Sequence, residues 1–170
     1  GLTWAAPANL GGGSALSYQV QASADGVNWV VVTSTTGLAL NIVRPAKGLT
    51  LNYRVLAVTQ WGLGLPSSVV SASTPTTVTG SVSMVNVVRQ PNLSYNLSFN
   101  QPSELGGIST WTYKIQMLQG NVWNTVLTGA GAATQTVNLP SPALNTYAYY
   151  RIIATNSVGD SPSYTILIRG

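Results

Sequence analysis

Residues 2–22 read LTWAAPANLGGGSALSYQVQA, and residues 97–117 read LSFNQPSELGGISTWTYKIQM. Aligned without a gap at an offset of 95 residues, the two stretches are identical at 8 of 21 positions. Composition alone would give about 1 or 2 identities at ordinary residue frequencies. A repeat of this length is typical of a domain rather than of a solenoid turn. The identical pairs are Leu2/Leu97, Pro7/Pro102, Leu10/Leu105, Gly11/Gly106, Gly12/Gly107, Ser14/Ser109, Tyr18/Tyr113 and Gln21/Gln116.

The offset predicts two domains in the 170 residues, one spanning 1–74 and the other 75–170. Domains of this size are common, and each can bury a modest core of its own. A short linker around Pro75 separates them.

Around the repeat, apolar and polar residues alternate with a period of two, which is typical of half-buried strands. Turn signals such as Asp25-Gly26 separate these runs. No stretch shows a helical period with caps, so the sequence predicts an all-β protein. The clearest alternating sets are Tyr18, Val20 and Ala22, then Leu38, Leu40 and Ile42, then Leu51, Tyr53, Val55 and Ala57.

The order of several short motifs is shared by both halves. They are Leu2, Trp4 and Pro7 (with Phe99 for the Trp in 97–102), Tyr18 and Val20 (Tyr113 and Ile115), Trp29 (Trp123), and an Ala-x-Asn-x-x-Gly pattern at 154–159 that recurs at 57–62 with Thr59 for the Asn. In these features both halves resemble fibronectin type III domains. The resemblance implies two tandem immunoglobulin-like β-sandwiches, each of seven strands in two sheets.

One departure from that family concerns the first strand. About 20 residues, 77–96, precede the second copy of the repeat, whereas the first copy begins at Leu2. The resemblance therefore implies that the first sandwich lacks its N-terminal strand, and that Leu2 and Trp4 lie on a strand-acceptor edge. Such an edge exposes apolar surface and unpaired backbone groups. Two interpretations stay open: the strand lies upstream in a longer protein, or a neighbouring subunit donates it.

A second departure concerns the corner tyrosine of the family. Leu51 and Ala148 stand where the resemblance would place that tyrosine, two residues before Tyr53 and Tyr150. The corner hydrogen bond is therefore missing, or Tyr147 or Tyr149 rebuilds it.

The composition argues against catalysis. Charged residues make up 6% of the chain, and neither His nor Cys is present. Nucleophilic triads and most transition-metal sites need those residue types, and the three carboxylates Asp25, Glu104 and Asp160 lie far apart in the sequence. We expect no enzymatic activity, no cofactor and no metal site.

The chain has a net charge of +4, but its seven basic residues are scattered singly. Nucleic-acid binding needs a basic cluster, so no nucleic-acid partner is expected. No apolar run approaches the roughly 18 residues that span a bilayer, so no membrane insertion of this segment is expected.

Trp61 and Leu63 lie in a predicted loop, 59–66, that many fibronectin type III domains use for binding. We expect Trp61 either to pack at the domain junction or to contact a partner or glycan. Trp111 replaces Leu16 at the start of a strand and has the same two interpretations. These three residues are the candidate partner contacts.

The first functional hypothesis is a non-catalytic structural or assembly module of a bacterial or viral surface protein. Such a module would be extracellular, as a spacer or subunit of a surface filament, surface layer, adhesin or virion appendage. Its partners would be neighbouring domains or subunits, or a surface protein or glycan. The alternative is a carbohydrate- or protein-binding accessory module of a larger secreted polysaccharide-active enzyme, for which several coplanar exposed Trp rings would be evidence.

Overall fold

The computed structural model describes residues 1–14 and 17–170. This described part of the chain is all β and forms two compact units, Gly1–Pro75 and Thr76–Gly170, here called unit one and unit two. It holds no helix that could span a membrane.

Unit one contains seven strands in two sheets. The larger sheet has the order β3-β2-β5-β6, with β7 pairing along another part of β5, and the smaller sheet is the short pair β1-β4. Its strands are β1 (Leu2–Thr3), β2 (Ser17–Ser23), β3 (Val30–Thr35), β4 (Ala39–Leu40), β5 (Thr50–Thr59), β6 (Gly62–Pro66) and β7 (Val70–Ser73).

Unit two repeats this arrangement with one strand more. Its larger sheet has the order β11-β10-β13-β14, with β15 also on β13, and its smaller sheet has the order β12-β9-β8. Its strands are β8 (Ser83–Arg89), β9 (Tyr95–Asn100), β10 (Thr112–Gln119), β11 (Val122–Ala130), β12 (Thr134–Leu139), β13 (Tyr147–Asn156), β14 (Gly159–Asp160) and β15 (Tyr164–Arg169).

The core of unit two shows why the alternating pattern folds in this way. Alternate residues of β9 and of the first half of β10 point inward and are buried, while their neighbours are more exposed; in β13 the consecutive residues 152–154 are all buried. Phe99 and Tyr113 meet edge to face across the two sheets, with ring centroids 5.4 Å apart. Trp4 and Tyr18 form the same pair in unit one at 5.8 Å.

The structure differs from the sequence predictions in the extent of its strands. Residues 59–66 are not a loop, because Thr59 pairs directly with Gly62 and the chain turns at Gln60 and Trp61. Within the segment 77–96 that precedes the second copy of the repeat, the first strand begins only at Ser83.

The corner tyrosine is not rebuilt by Tyr147 or Tyr149, whose rings are exposed on the outer face of β13. Tyr95 instead donates its hydroxyl hydrogen to the carbonyl oxygen of Arg169. This bond ties β9 of one sheet to β15 of the other, so unit two has its own link between the sheets.

Candidate functional site

The first segment of unit two, residues 77–89, covers one open side of its sandwich. The N–H of Thr77 donates to the carbonyl oxygen of Gly106 at 2.9 Å, and the N–H of Gly80 donates to that of Glu104 at 2.7 Å. The chain then continues as β8, which pairs antiparallel with β9. This stretch therefore closes the unit through main-chain hydrogen bonds.

Side chains of the same stretch fill the interior. Thr79 and Val82 are buried, and Val85 and Val87 pack against the core of unit two. Asn156 holds the start of the stretch, because its side-chain amide donates to the carbonyl oxygens of Thr77 at 2.8 Å and Leu105 at 3.2 Å.

Unit one has no counterpart of this covering segment among its described residues. Four residues of unit one that the 95-residue offset aligns with unit two are each more exposed to solvent than their counterparts there. Leu97 and Phe99 are 0% and 1% exposed, whereas Leu2 and Trp4 are only partly buried. Pro102 and Gly106 are buried, whereas Pro7 and Gly11 are exposed. The described residues of unit one therefore leave uncovered a surface that residues 77–89 cover in unit two.

The open surface forms a continuous groove, here called the β1 groove. Its largest part has a volume of about 690 Å³ and lies between β1 and β7, with Tyr53 in its lining. Three further depressions extend it past Trp4 and Pro7 to the turn at Trp61. Each depression shares lining residues with the next, so the groove follows the path that residues 77–89 take in unit two.

Trp61, Leu63 and Leu65 form an apolar rim at one end of this groove. Trp61 is 76% exposed and Leu65 is 93% exposed, and Leu63 is also exposed. The corresponding hairpin of unit two lies between β13 and β14 and has Val158 in place of Trp61 and Asp160 in place of Leu63. Residues 77–81 lie beside this hairpin. Trp61 and Leu63, two of the predicted partner contacts, thus line one end of the groove that Leu2 and Trp4 also line.

Trp111 does not belong to this surface, and its prediction as a partner contact is wrong. The ring is 7% exposed and lies in the core of unit two. A Cβ added at Gly131 would lie 2.2 Å from it, which shows how closely the backbone packs there. Leu16, the residue that Trp111 replaces in the repeat, lies outside the described residues.

Trp29 and Trp123 are part of a repeated surface cluster that the sequence analysis missed. The guanidinium carbon of Arg54 lies 4.1 Å from the ring centroid of Trp29, and that of Arg151 lies 4.6 Å from the centroid of Trp123. Each arginine also donates through Nε to a glutamine of the neighbouring strand, at 2.8 and 2.7 Å. The available signal was that an arginine directly follows the inward tyrosine in both halves, Arg54 after Tyr53 and Arg151 after Tyr150.

Asp25 accepts hydrogen bonds within the turn between β2 and β3. Its carboxylate accepts hydrogen bonds from the backbone N–H groups of Asn28 and Val27, both at 2.8 Å. These bonds, with those from the side chains of Asn28 and Ser23, hold the pKa of Asp25 well below its usual range.

Asp160 forms an ion pair with Lys114 in unit two. The Lys114 ammonium lies 2.6 Å from its carboxylate and, together with the Thr155 hydroxyl, lowers the pKa of Asp160. Across residues 1–14 and 17–170, no three His, Cys, Asp or Glu side chains are grouped as metal ligands would be.

Comparison with known proteins adds structural relatives only. No family model and no curated protein sequence matches the chain. A two fibronectin type III domain segment from chicken tenascin superposes with a TM-score of 0.52 at 15% identity, covering 99% of this chain and 90% of that one. The FN1–FN3 domains of chicken CNTN1 give a TM-score of 0.43 at 18% identity, covering 91% of this chain and 56% of theirs. With its two similar all-β units, the chain has the fold of tandem fibronectin type III domains.

Proposed function

We propose that this protein is a non-catalytic structural module of an extracellular assembly, and that unit one is the part that joins a neighbour. The assembly would be a surface filament, surface layer, adhesin or virion appendage. The observation that carries the proposal is the apolar rim of Trp61, Leu63 and Leu65, three exposed side chains on one hairpin of unit one.

The physical argument is the cost of leaving this surface in water. Apolar area that is removed from water contributes roughly 25 cal/mol per Å², and open sheet edges are sites where other chains pair. The low charge of the chain supports the same role, because a surface with few charges packs against a neighbour without much desolvation of ions.

Photo-crosslinking in the cells or virions that produce the protein tests this proposal. Trp61 is replaced by a photo-reactive phenylalanine analogue, and Val27, an exposed residue in the turn between β2 and β3, is replaced in a control. We expect position 61 to crosslink on the outer surface to a structural protein, identified by mass spectrometry, and position 27 to crosslink far less. A chain found only inside the cell, or equal crosslinking from both positions, would contradict the proposal.

The alternative, a glycan-binding accessory module, is favoured by one observation, the exposed ring of Trp61. Trp29 and Trp123 are stacked under arginines and Trp111 is buried, so the described residues offer no platform of several exposed Trp rings. Sedimentation with insoluble polysaccharides tests it: binding that is lost in Trp61→Ala would support this alternative.

A further inference from the structure

β3 is the edge strand of the larger sheet of unit one, and it carries apolar side chains into solvent. Within residues 1–14 and 17–170 it pairs with β2 alone. Val30, Val31 and Val32 follow one another along it and are 70%, 48% and 47% exposed. An apolar edge strand is a template for pairing with another chain. We propose that β3 pairs with β3 of a second copy of this protein, antiparallel and about a two-fold axis.

Unit two has the same edge strand, β11, with different side chains. The pairing registers shift at the equivalent point of both sheets and align Val30 with Asn124. Val31 is aligned in the same way with Thr125. Both polar side chains of β11 form hydrogen bonds with glutamines of β10, at 3.1 and 3.0 Å. The edge of unit two thus satisfies its polar groups within its own sheet, whereas unit one presents two valines at the same positions.

The exposure of β3 does not come from the lack of a segment like 77–89 in unit one. In unit two that segment is present and pairs with β9 in the other sheet. Asn124, Thr125 and Val126 of β11 are nevertheless exposed, as their counterparts in β3 are. The edge position therefore leaves this stretch in solvent in both units. A preceding segment that followed the path of 77–89 would lie along β1 and would leave β3 open.

The absence of charge along this stretch favours a copy of itself as the partner. No charged residue lies between Asp25 and Arg44 in the sequence, so two copies meet here without opposing like charges. Natural edge strands are commonly protected by lysine, proline or an inward-pointing charge, and β3 contains none of these. Its bulge, at Val32, recurs in β11 and so does not distinguish the two edges. A partner selected by charge would find no complementary group on β3.

Antiparallel pairing about a two-fold axis makes a strand complementary to itself. The register that uses all six residues of β3 sets Val30 of one copy opposite Thr35 of the other. In the same register Val32 lies opposite Thr33. Pairs of β-branched residues stabilise antiparallel sheets. The pairing ends before the turn that carries Val27, and it joins the larger sheets of two copies of unit one into one sheet.

Pairing of β3 with β11 of a second copy is the competing arrangement. It is heterologous, so it would give open chains of molecules rather than closed dimers. It would also cover the polar side chains of Asn124 and Thr125 with valine, at a cost in desolvation. Self-pairing of β3 avoids this cost, because its own residues are valine, threonine and serine.

Sedimentation equilibrium of the full 170-residue chain, from roughly 10 µM to 1 mM, tests the proposal. One pair of strands is a small interface. We therefore expect a monomer–dimer equilibrium with a dissociation constant on the order of 100 µM. Backbone amide exchange in β3 should slow as the concentration rises, while exchange in β11 should stay unchanged.

Two substitutions at aligned positions form a matched pair. Val31→Lys places a charge on the edge of β3, and Thr125→Lys places the same charge on the edge of β11. Val31→Lys should weaken self-association at least about tenfold, whereas Thr125→Lys should change it less than about twofold. A double variant, Val30→Asn with Val31→Thr, gives β3 the residues that β11 has at these positions. It should also weaken self-association, and it serves if Val31→Lys does not fold.

The outcomes are distinct. A dimer that depends on Val31 and not on Thr125 supports the inference. A chain that stays monomeric at about 1 mM, a dimer that the β3 variants leave unchanged, or open-ended polymers that Thr125→Lys disrupts would overturn it. Crosslinking from position 61 reports on a different hairpin of unit one, so the proposed assembly role and this self-pairing can fail separately.

Discussion

Asn156 donates its side-chain amide to the carbonyl oxygen of Thr77 at 2.8 Å, and so joins the turn before β14 to the first residues of unit two. Its own side-chain oxygen accepts the backbone N–H of Val158 at 2.9 Å. In unit one the counterpart of Asn156 is Thr59, whose hydroxyl bonds only within its own turn in the described contacts. The asparagine is thus present in the unit whose first segment it holds, and the shorter threonine side chain stands at the equivalent position of unit one.

Asn156→Ala should therefore destabilise unit two by about 1–3 kcal/mol, because it leaves the part-buried carbonyl oxygens of Thr77 and Leu105 without this donor. Amides of residues 77–82 should exchange faster with solvent than in the unchanged chain. Thermal unfolding and hydrogen exchange measure both effects. Ser157→Ala, at the exposed neighbour in the same turn, is the control and should change stability by less than about 0.5 kcal/mol.

Replacement by alanine should lower the free energy of unfolding strongly at Trp111 and hardly at all at Trp61. Trp111→Ala should cost about 3–5 kcal/mol, because it removes a buried ring from the core of unit two. Trp61→Ala should change the free energy of unfolding by less than about 0.5 kcal/mol, because that ring is exposed. Denaturant unfolding compares the two, and a large loss in Trp61→Ala would mean that the ring supports the fold.

Trp4→Phe should leave unit one as stable as before or raise its stability by up to about 1 kcal/mol. The indole N–H of Trp4 is buried with no hydrogen-bond partner among the described residues, and an unpaired donor costs about 1–3 kcal/mol. Phenylalanine keeps the edge-to-face ring pair, as Phe99 does in unit two. Trp4→Ala should cost about 2–4 kcal/mol. A loss above about 2 kcal/mol in Trp4→Phe would contradict this account.

The stability of unit one should fall with acid because of Asp25. Hydrogen bonds from Asn28 and Val27 lower the pKa of Asp25 in the folded chain below the unfolded value of about 3.9. Its contribution is thus complete above about pH 4 and is lost as the pH falls toward the folded pKa. Asp25→Asn should remove this part of the pH dependence. Unfolding followed by amide signals of unit one between neutral pH and acid tests it, with Asp160→Asn, which acts in unit two, as the control.

The repeat, the alternating apolar pattern and the motifs shared by the two halves were sufficient to predict the fold class. Identities between residues 2–22 and 97–117 aligned the two halves, and the residues before Leu97 indicated that a strand equivalent to β8 is not among residues 1–75. That Leu2 and Trp4 form a strand-acceptor edge stays a prediction.

Other features depend on tertiary packing that a single sequence does not show. Trp111 replaces a smaller residue in the repeat, and only the facing Gly131 makes room for its ring. Residues 59–66 were predicted as a loop because Gly62, Gly64 and Pro66 suggested irregular backbone. Pairing with β5 nevertheless makes residues 62–66 a strand. The Arg54–Trp29 stack is a contact on the outer face of a sheet. The alternating sequence pattern indicates which side chains face outward, but it does not indicate which of them contact each other.

The most direct test of the account compares backbone amide exchange at two pairs of equivalent residues in the free chain. The N–H of Trp4 donates to Leu38, so in an extended strand the N–H groups of Thr3 and Ala5 point to the opposite side, toward the open edge. Their counterparts Ser98 and Asn100 face β8. We predict exchange at Thr3 and Ala5 that is roughly 100-fold or more faster than at Ser98 and Asn100. Equal protection of the two pairs in the free chain would contradict the claim that unit one has an open strand-acceptor edge.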